Sequence, residues 1–491
     1  MPSQLSQKLR NIRIHPLIIL GIISFSGAII RLYHLGYKPI WLDEAVIYWI
    51  SNQESISEII SLNALKNSAP PLFVLLLRII IKIGDSEIVL RSLPWVAGVI
   101  SLPANYFLAR QFIDEVPALA TTLLVAIART QVAYSQELRE YSLSFLLAIL
   151  ILLYFNKFIK KPKIINLGFM TLFMIIGVFT QYGLSLLILS LNIIFLFELF
   201  GNKEDRKGKL LLWTGSQILV LLCVFLVIYL SLGEQMTVGF GSSSEVNYLS
   251  SSYWNGSIKD LIQFSFQKTY ALFTFAFSGS IFLLLTFLGL IFTVIRKSHR
   301  QVGLLFLIPT LLAWLLSLFS LYPYDGRRQL MFLTPMIYIL AGTGINYIYN
   351  LNKKSWAIYA ILLFPLISGG ISTIAYLNNP GQEQIRPVVN ELKQSYTEGD
   401  AIYVYYGAEA AFTYYYREPN SSLILGVYGR DNPNKYFEQI DDVLNNHDAI
   451  WLVFSHCSRN ECQIIPKYFS EFRNVDLVVS ENDAYLYYVH E

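Results

Sequence analysis

Long apolar runs decide what this chain can fold into. They fall near 15–34, 87–109, 116–132, 141–158, 164–180, 183–200, 210–231, 270–295, 301–321, 329–349 and 355–376. Most are about 20 residues long, the length an α-helix needs to cross the hydrocarbon core of a bilayer. Inside that core every backbone N–H and C=O must be satisfied without water, which a helix achieves within one segment. The pattern predicts a polytopic α-helical membrane protein with about eleven spans. Composition agrees: 54% of the residues are hydrophobic and only 14% are charged, against roughly 25% charged in a soluble domain. A net charge of +3 implies no nucleic-acid partner. The basic, then apolar N-terminus has the outline of a signal peptide. It lacks a small-x-small cleavage site before Arg31, and further spans follow, so it reads as an uncleaved first helix.

The charged connections orient the chain. KFIKKPK (157–163), KEDRKGK (203–209), RKSHR (296–300) and Lys353-Lys354 each follow an even-numbered run, and the N-terminal segment QKLRNIR is also basic. Lys and Arg accumulate on the cytoplasmic side of short membrane loops. The N-terminus is therefore expected in the cytoplasm of an integral protein of the cell membrane. An odd number of spans then places the C-terminal tail outside, together with the loops at 35–86, 133–140 and 232–269. Residues 1–379 read as the membrane module, with helices lying on the membrane surface in the loop 35–86. Residues 380–491 change character. Runs such as AIYVYYG, AIWLVFS, VDLVVS and AYLYYV alternate with helical stretches, RPVVNELKQSYTEGD among them. That pattern predicts a small soluble extracytoplasmic α/β domain. It carries neither GxGxxG nor GxxxxGK, so nothing in it points to a nucleotide.

Three cysteines are present. Cys223 lies inside an apolar run and reads as a packing residue. Cys457 and Cys462 lie in HCSRNEC, where two Cys and one His are too few for a zinc site. They form either a disulfide closing a short loop, if the tail faces an oxidising compartment, or two free thiols.

Charged residues on the predicted outer side are the candidates for chemistry. Asp43 and Glu44 follow the first run in KPIWLDEAVIYWIS. Carboxylates commonly open helices, where they favour the positive end of the dipole; alternatively one of them is a general base. The segment SAPPLFVLLLRIIIKI follows, with Pro70 and Pro71 able to start a helix and with Arg78 and Lys82 interrupting the apolar run, so it reads as interfacial. VAYSQELREYSL brings Glu137, Arg139, Glu140 and Tyr141 into a very short outer loop, where such charges line a cavity, pair with each other or form a solvated turn. Arg327 and Arg328 in LYPYDGRRQLMFLTPM sit on the outer side, against the positive-inside bias. An anionic group such as a phosphate would account for them, since Arg offers paired donors; Asp325 would instead neutralise one of them. Gln181-Tyr182 stand at the outer end of the fifth run. The Gly/Ser-rich stretch in 232–269 is either a segment that orders on a ligand or a plain connection.

An Asp-Glu pair after the first helix, a Pro-Pro-Leu segment, SQELREYSL and RRQLMFLTP, in that order, resemble the polyprenyl-phosphate-sugar-dependent membrane glycosyltransferases of the GT-C superfamily. The branch they are most similar to contains the protein O-mannosyltransferases and the lipid A aminoarabinose transferases. The resemblance covers the first 380 residues, with its motifs in 41–141 and 324–335. Two departures stand out: Ala69 precedes the prolines where many members have His, and the arginine motif is Arg327-Arg328 instead of Arg-Tyr.

The resemblance implies a GT-C-like fold with its site facing outside. It also implies a polyprenyl-phosphate-linked sugar as donor and a lipid, glycan or protein acceptor, in contact with membrane lipids. By it, Asp43 would be the catalytic base and Glu44 would orient it or the acceptor. Glu137, Arg139, Tyr141 and Tyr182 would contribute to substrate binding, and Arg327 or Arg328 would hold the phosphate. One base and in-line displacement imply inversion at the anomeric carbon. No cofactor is required; the outer loops show no metal-ligand cluster beyond the carboxylates, and a divalent metal remains compatible. Two other readings stay open: a lipid or glycan transporter or flippase, and a non-catalytic scaffold for envelope assembly. A transporter commonly shows inverted repeats and charges at mid-membrane, and neither is visible here.

Overall fold

Each of the eleven apolar runs falls on helix in the computed structural model. It describes residues 15–201, 206–237, 249–296, 299–351, 356–381, 383–418, 422–429, 432, 434–458 and 460–491. The N-terminal basic segment, residues 203–205 and 297–298, Lys353-Lys354 and residues 238–248 of the 232–269 connection lie outside them. Among the described residues, six helices are long and apolar enough to cross a membrane: Ser92–Ala109, Tyr141–Lys160, Tyr182–Leu199, Arg206–Met236, Arg300–Leu318 and Arg328–Leu351. The number is eight if two bent pairs each count as one span, while Pro16–Leu32, Leu72–Ile81, Ile164–Val178 and Leu363–Leu377 are apolar but shorter. This is a polytopic helical membrane protein.

Among the described residues, two of those runs are sharply bent pairs of helices. The run at 116–132 is Glu115–Ile127 followed by Arg129–Ser135, bent by 56°. Ala128 between them is extended, with φ −67° and ψ 120°. The carbonyls freed at such a break must be satisfied locally. The buried Arg31 guanidinium donates to Ala126 O at 2.8 Å, Val125 O at 3.0 Å and Gly27 O at 3.1 Å. Thr373 Oγ1 donates to Ile127 O at 2.7 Å. Gln136 in turn donates to Arg31 O at 3.0 Å and to Tyr33 O at 2.7 Å. These bonds hold the turn that carries Glu137 and Arg139.

The run at 270–295 is likewise Ile258–Ala276 and Ser280–Ile295, bent by 111°. Phe277 is extended and Gly279 has φ +138°, a conformation that an L side chain resists. The first helix starts at 258 because Ser257 and Asp260 form a reciprocal capping box. Residues 258–269 of the predicted 232–269 connection are therefore helical.

Helix Thr334–Leu351 is buried over most of its length. Helix Ser280–Ile295 approaches it backbone to backbone. A Cβ on Gly289 would lie 1.9 Å from Leu340 O, and one on Gly344 would lie 2.1 Å from Leu285 O. Small residues at such a crossing permit the close van der Waals packing that associates helices in lipid.

The chain divides into two compact units. One runs to Tyr33 and includes Ile60–Leu76 and Arg91–Leu377. The other joins His34–Ile59 and Leu77–Leu90 of the first long connection to Asn378–Glu491. In the second unit a five-stranded sheet has the order β2-β1-β3-β5-β4, with β1 Ala401–Val404, β2 Leu423–Leu425, β3 Ile450–Ser455, β4 Asn474–Glu481 and β5 Ala484–His490. Strand β1 is parallel to β2 and β3, and β5 is antiparallel to β3 and β4. Strands β1 and β3 are buried at every residue, as expected for central strands covered on both faces.

The connection residues of this unit are fastened to the tail residues. Helix Leu42–Ser51 packs on helix Glu409–Tyr415, with Tyr48 and Tyr414 edge to face at 4.9 Å. Arg386 grips both oxygens of Glu87 at 2.8 and 2.9 Å and donates to Tyr37 O at 2.6 Å. Tyr415 donates to Glu87 and accepts from Ile40 N–H at 2.7 Å. Burial, and then the Glu87 charge, push the Tyr415 phenol well above its ordinary range, so it stays a donor.

Candidate active site

Asp43 and Glu44 occupy the first turn of helix Leu42–Ser51, where the helix dipole favours negative charge. Asp43 is partly exposed and Glu44 is buried. The N-cap is Trp41, which supplies no capping hydrogen bond. The cap comes instead from far along the chain: Leu42 N–H donates to Glu383 Oε2 at 3.0 Å. The other oxygen, Glu383 Oε1, lies 2.7 Å from His456 Nδ1.

His456 follows β3 directly and has φ +53°. Cys457 and Cys462 are disulfide-bonded, with Cα atoms 5.7 Å apart. Cys457 N–H donates to Asp483 Oδ1 at 3.3 Å. Burial works to lower the His456 pKa. It is outweighed by the hydrogen bond to Glu383 and by the fields of Glu383, Asp43 and Asp483, so the net direction is upward. Burial raises Asp483 above the usual carboxylate range, with the Cys457 N–H opposing it.

The remaining sequence candidates belong to the other unit. Glu137, Arg139 and Tyr141 lie at or beside the N-terminus of helix Tyr141–Lys160. Arg139 Nε is 3.3 Å from Glu140 Oε2, and Arg139 Nη2 donates to the Tyr141 hydroxyl at 3.3 Å. The Tyr141 ring has two cationic neighbours, the guanidinium carbons of Arg139 and Arg328, each 5.6 Å from its centroid. Arg328 Nη1 reaches Glu137 Oε1 at 4.0 Å.

Arg328 opens a 3₁₀ turn, Arg328–Leu333, leading into helix Thr334–Leu351. That turn is tied down by Gln181, which donates to Arg328 O at 3.3 Å and accepts from Ser144 Oγ. Tyr322 also donates to Gln329 O at 2.8 Å. Asp325 does partner Arg327, at 3.5 Å, but it also meets Lys268 at 2.8 Å. Ser252 Oγ donates to the same Asp325 oxygen at 3.3 Å, which ties the end of the Gly/Ser-rich connection to the arginine turn. Tyr182 stands apart from this group in its bonding. Its hydroxyl donates to Gln235 Oε1 at 2.8 Å, and Gln235 Nε2 donates to Asn67 O at 2.7 Å.

The structure thus groups Glu137, Arg139, Tyr141 and Arg328, places Arg327 with Asp325 and Lys268, and brings the charge of Asp43 to bear on His456. Sequence reasoning singled out neither Lys268 nor Glu383, and considered His456 only as a zinc ligand. Lys268 carries a sequence signal, a cation within an apolar amphipathic segment. Glu383 carries none, because its partners are distant in the chain. Among the described residues no three His, Cys, Asp or Glu are grouped to hold a metal ion.

Residues 68–229 match the family model described as dolichyl-phosphate-mannose-protein mannosyltransferase. Among solved structures the chain is similar to ArnT from Cupriavidus metallidurans in the apo state, with TM-score 0.58, 11% identity, and 95% of this chain and 97% of that one covered. ArnT bound to undecaprenyl phosphate aligns with TM-score 0.58, 12% identity and 96% and 97% coverage. The archaeal oligosaccharyltransferase AglB from Archaeoglobus fulgidus, in complex with an inhibitory peptide and a dolichol-phosphate, aligns with TM-score 0.56, 12% identity and 96% and 74% coverage. No curated protein sequence matches the chain. At these identities the structural likeness shows a shared fold. The chain shares the fold of ArnT and AglB, and its residues 68–229 resemble the mannosyltransferase family.

Proposed function

We propose that this protein is an inverting glycosyltransferase that moves a sugar from a polyprenyl phosphate to an acceptor at the outer face of the membrane. The observation that carries the reading is Asp43, in the first turn of a helix capped by Glu383. It stands in a chain that shares its fold with proteins solved with undecaprenyl phosphate and dolichol phosphate. The outer placement follows from the basic connections of the sequence.

The Asp43 carboxylate takes the proton from an acceptor hydroxyl or amine as that atom attacks the anomeric carbon. The bond from the anomeric carbon to the phosphate oxygen breaks, and the polyprenyl phosphate leaves with the electron pair. Phosphate is already a good leaving group, so the acceptor is the partner that needs help. A positioned base contributes typically about 10²–10⁴-fold. Glu44, buried beside Asp43 in the same turn, orients that turn.

Arg328 is the first choice for the phosphate and Arg327 the second, because Arg327 is held at 3.5 Å by Asp325, which also binds Lys268. Asp325 is shared between Arg327 and Lys268, and guanidinium groups suit a group whose negative charge grows in the transition state. Arg139, Glu137, Tyr141 and Tyr182 complete the binding set. The scheme requires no cofactor, since guanidinium groups carry the phosphate charge. The reading is tested with the purified full chain and a labelled polyprenyl-phosphate sugar, comparing wild type with Asp43→Asn. Equal transfer or sugar release by the two proteins would sink it.

A further inference from the structure

We infer that Glu383 and His456 form a positioning pair that holds the helix turn of Asp43 and sets the field in which Asp43 works. The inference rests on Asp43 being the base, as proposed above.

A helix start leaves its first N–H groups without intrahelical partners. In helix Leu42–Ser51 the N-cap Trp41 makes no capping bond, and Glu383 accepts from Leu42 N–H at 3.0 Å in its place. The residue so anchored is the one before Asp43. The Glu383 side chain is only 3% exposed. A buried carboxylate with a single neutral donor would be costly, and His456 Nδ1 at 2.7 Å supplies the second partner.

Both members of the pair are themselves held. Asn482 Nδ2 donates to Gly381 O at 2.8 Å, and Gln384 N–H donates to Asn482 O at 2.9 Å. Glu383 is thereby fastened to the turn between β4 and β5. His456 leaves the end of β3 in the left-handed region and runs straight into the Cys457–Cys462 disulfide. Asp483, in the same β4–β5 turn, accepts from Cys457 N–H. A left-handed histidine held on both sides is the kind of local strain that clusters at functional positions.

The groups that act electrostatically on His456 are Glu383, Asp43 and Asp483, three carboxylates on three separate segments. They favour the imidazolium. A positive His456 favours an ionised, proton-accepting Asp43 and strengthens the bond that fixes Glu383. As the pH rises and His456 loses its charge, that positive field is withdrawn and the bond that fixes Glu383 weakens. The tail residues thus act on the chemistry through Asp43, without His456 touching substrate.

The test uses the full-length protein in detergent. The pH dependence of His456 modification by diethyl pyrocarbonate, which attacks the neutral imidazole, is read by mass spectrometry in wild type, Asp43→Asn and Glu383→Gln. The expected midpoint in wild type lies above the ordinary histidine value of about 6.5. It falls in Asp43→Asn and falls further in Glu383→Gln, so that labelling at neutral pH speeds up about two- to fivefold in the former. An identical midpoint in all three proteins overturns the inference.

A second arm measures turnover of tritiated mannosyl, glucosyl and arabinosyl phospho-undecaprenol. His456→Ala lowers kcat about tenfold or more with KM little changed and moves the alkaline limb of the pH profile. His456→Gln, which keeps an amide donor for Glu383, recovers part of kcat but not the limb. A wild-type profile in His456→Ala overturns the inference. Full turnover by Asp43→Asn instead overturns the assignment of the base, a result that the labelling arm does not depend on.

Discussion

Arg328 holds its guanidinium 5.6 Å from the centroid of the Tyr141 ring, and Arg139 stands at the same distance from that ring. Two like charges converge on one aromatic, and their carboxylates Glu137 and Glu140 are neighbours in one short segment. A cation near an aromatic ring gains about 0.5–2 kcal/mol, which helps to keep both guanidinium groups in place. If Arg328 binds the donor phosphate, Arg328→Gln should weaken donor affinity about ten- to a hundredfold, the range for a lost charged hydrogen bond. Arg328→Lys should not fully restore it, because an ammonium lacks the planar fork. Equilibrium binding of undecaprenyl phosphate checks both, and unchanged affinity in Arg328→Gln would make the residue structural.

His456 predicts a pH-dependent stability. Its pKa is raised in the folded protein, so the associated stabilisation is fully present below the unfolded value of about 6.5 and is lost as the pH rises through the folded value. The Tm of the wild type should fall across that window, and the slope should flatten in His456→Gln. Asp483, also raised, contributes a decline of the same sign in a separate window that opens near pH 3.8. Thermal scans between pH 5 and 9 isolate the histidine contribution. A slope unchanged by His456→Gln would mean that another group titrates there.

The Cys457–Cys462 disulfide closes a short loop, five positions apart in sequence. Chain-entropy reasoning gives about 2 kcal/mol for a loop of this size. Replacing both residues by Ser should lower the Tm of the tail unit, and reducing agent should do the same to wild type but not to the variant. Because His456 precedes the bridge, the double Ser variant should also lower the diethyl pyrocarbonate midpoint of His456. A variant identical to wild type in both readings would assign the bridge no structural effect.

Gln235 links the Tyr182 hydroxyl to the Asn67 carbonyl at 2.8 and 2.7 Å. Asn67 itself donates to Asn63 Oδ1 at 2.8 Å, and Asn63 donates to Ala69 O at 2.9 Å, just before the Pro70-Pro71 pair. Tyr182→Phe should cost about 1 kcal/mol of stability, the usual net value of one such bond. Gln235→Leu should cost more, since it leaves both Tyr182 and the Asn67 carbonyl unsatisfied. Denaturation in detergent orders the three proteins, and the reverse order would show that the relay is not what holds this segment.

The elements that local pattern controls were legible. Apolar length placed the helices, and runs rich in β-branched and aromatic residues located four of the five strands, because both are properties of a short stretch of chain. The bends at Ala128 and at Phe277–Gly279 were not legible. The first depends on Arg31 satisfying carbonyls nearly a hundred positions away, and the second on a glycine whose φ no composition reveals. Strand β2, three residues long and with two of them exposed, has no pattern of its own and exists through its pairing with β1.

The candidate site divides in the same way. Asp43, Glu137, Arg139 and the Arg327-Arg328 pair were found because charge beside an apolar run is costly and therefore conspicuous. Their partners were hidden. Glu383 and His456 lie in a polar tail where one more Glu or His is ordinary, and only folding brings them to the helix that carries Asp43. By itself the sequence determined that the chain inserts in a membrane and which charges resist that environment, since transfer energy is a local property. The tertiary structure decided which group caps the Asp43 helix and which charge faces Asp43, since such pairing depends on distances that only the folded chain sets.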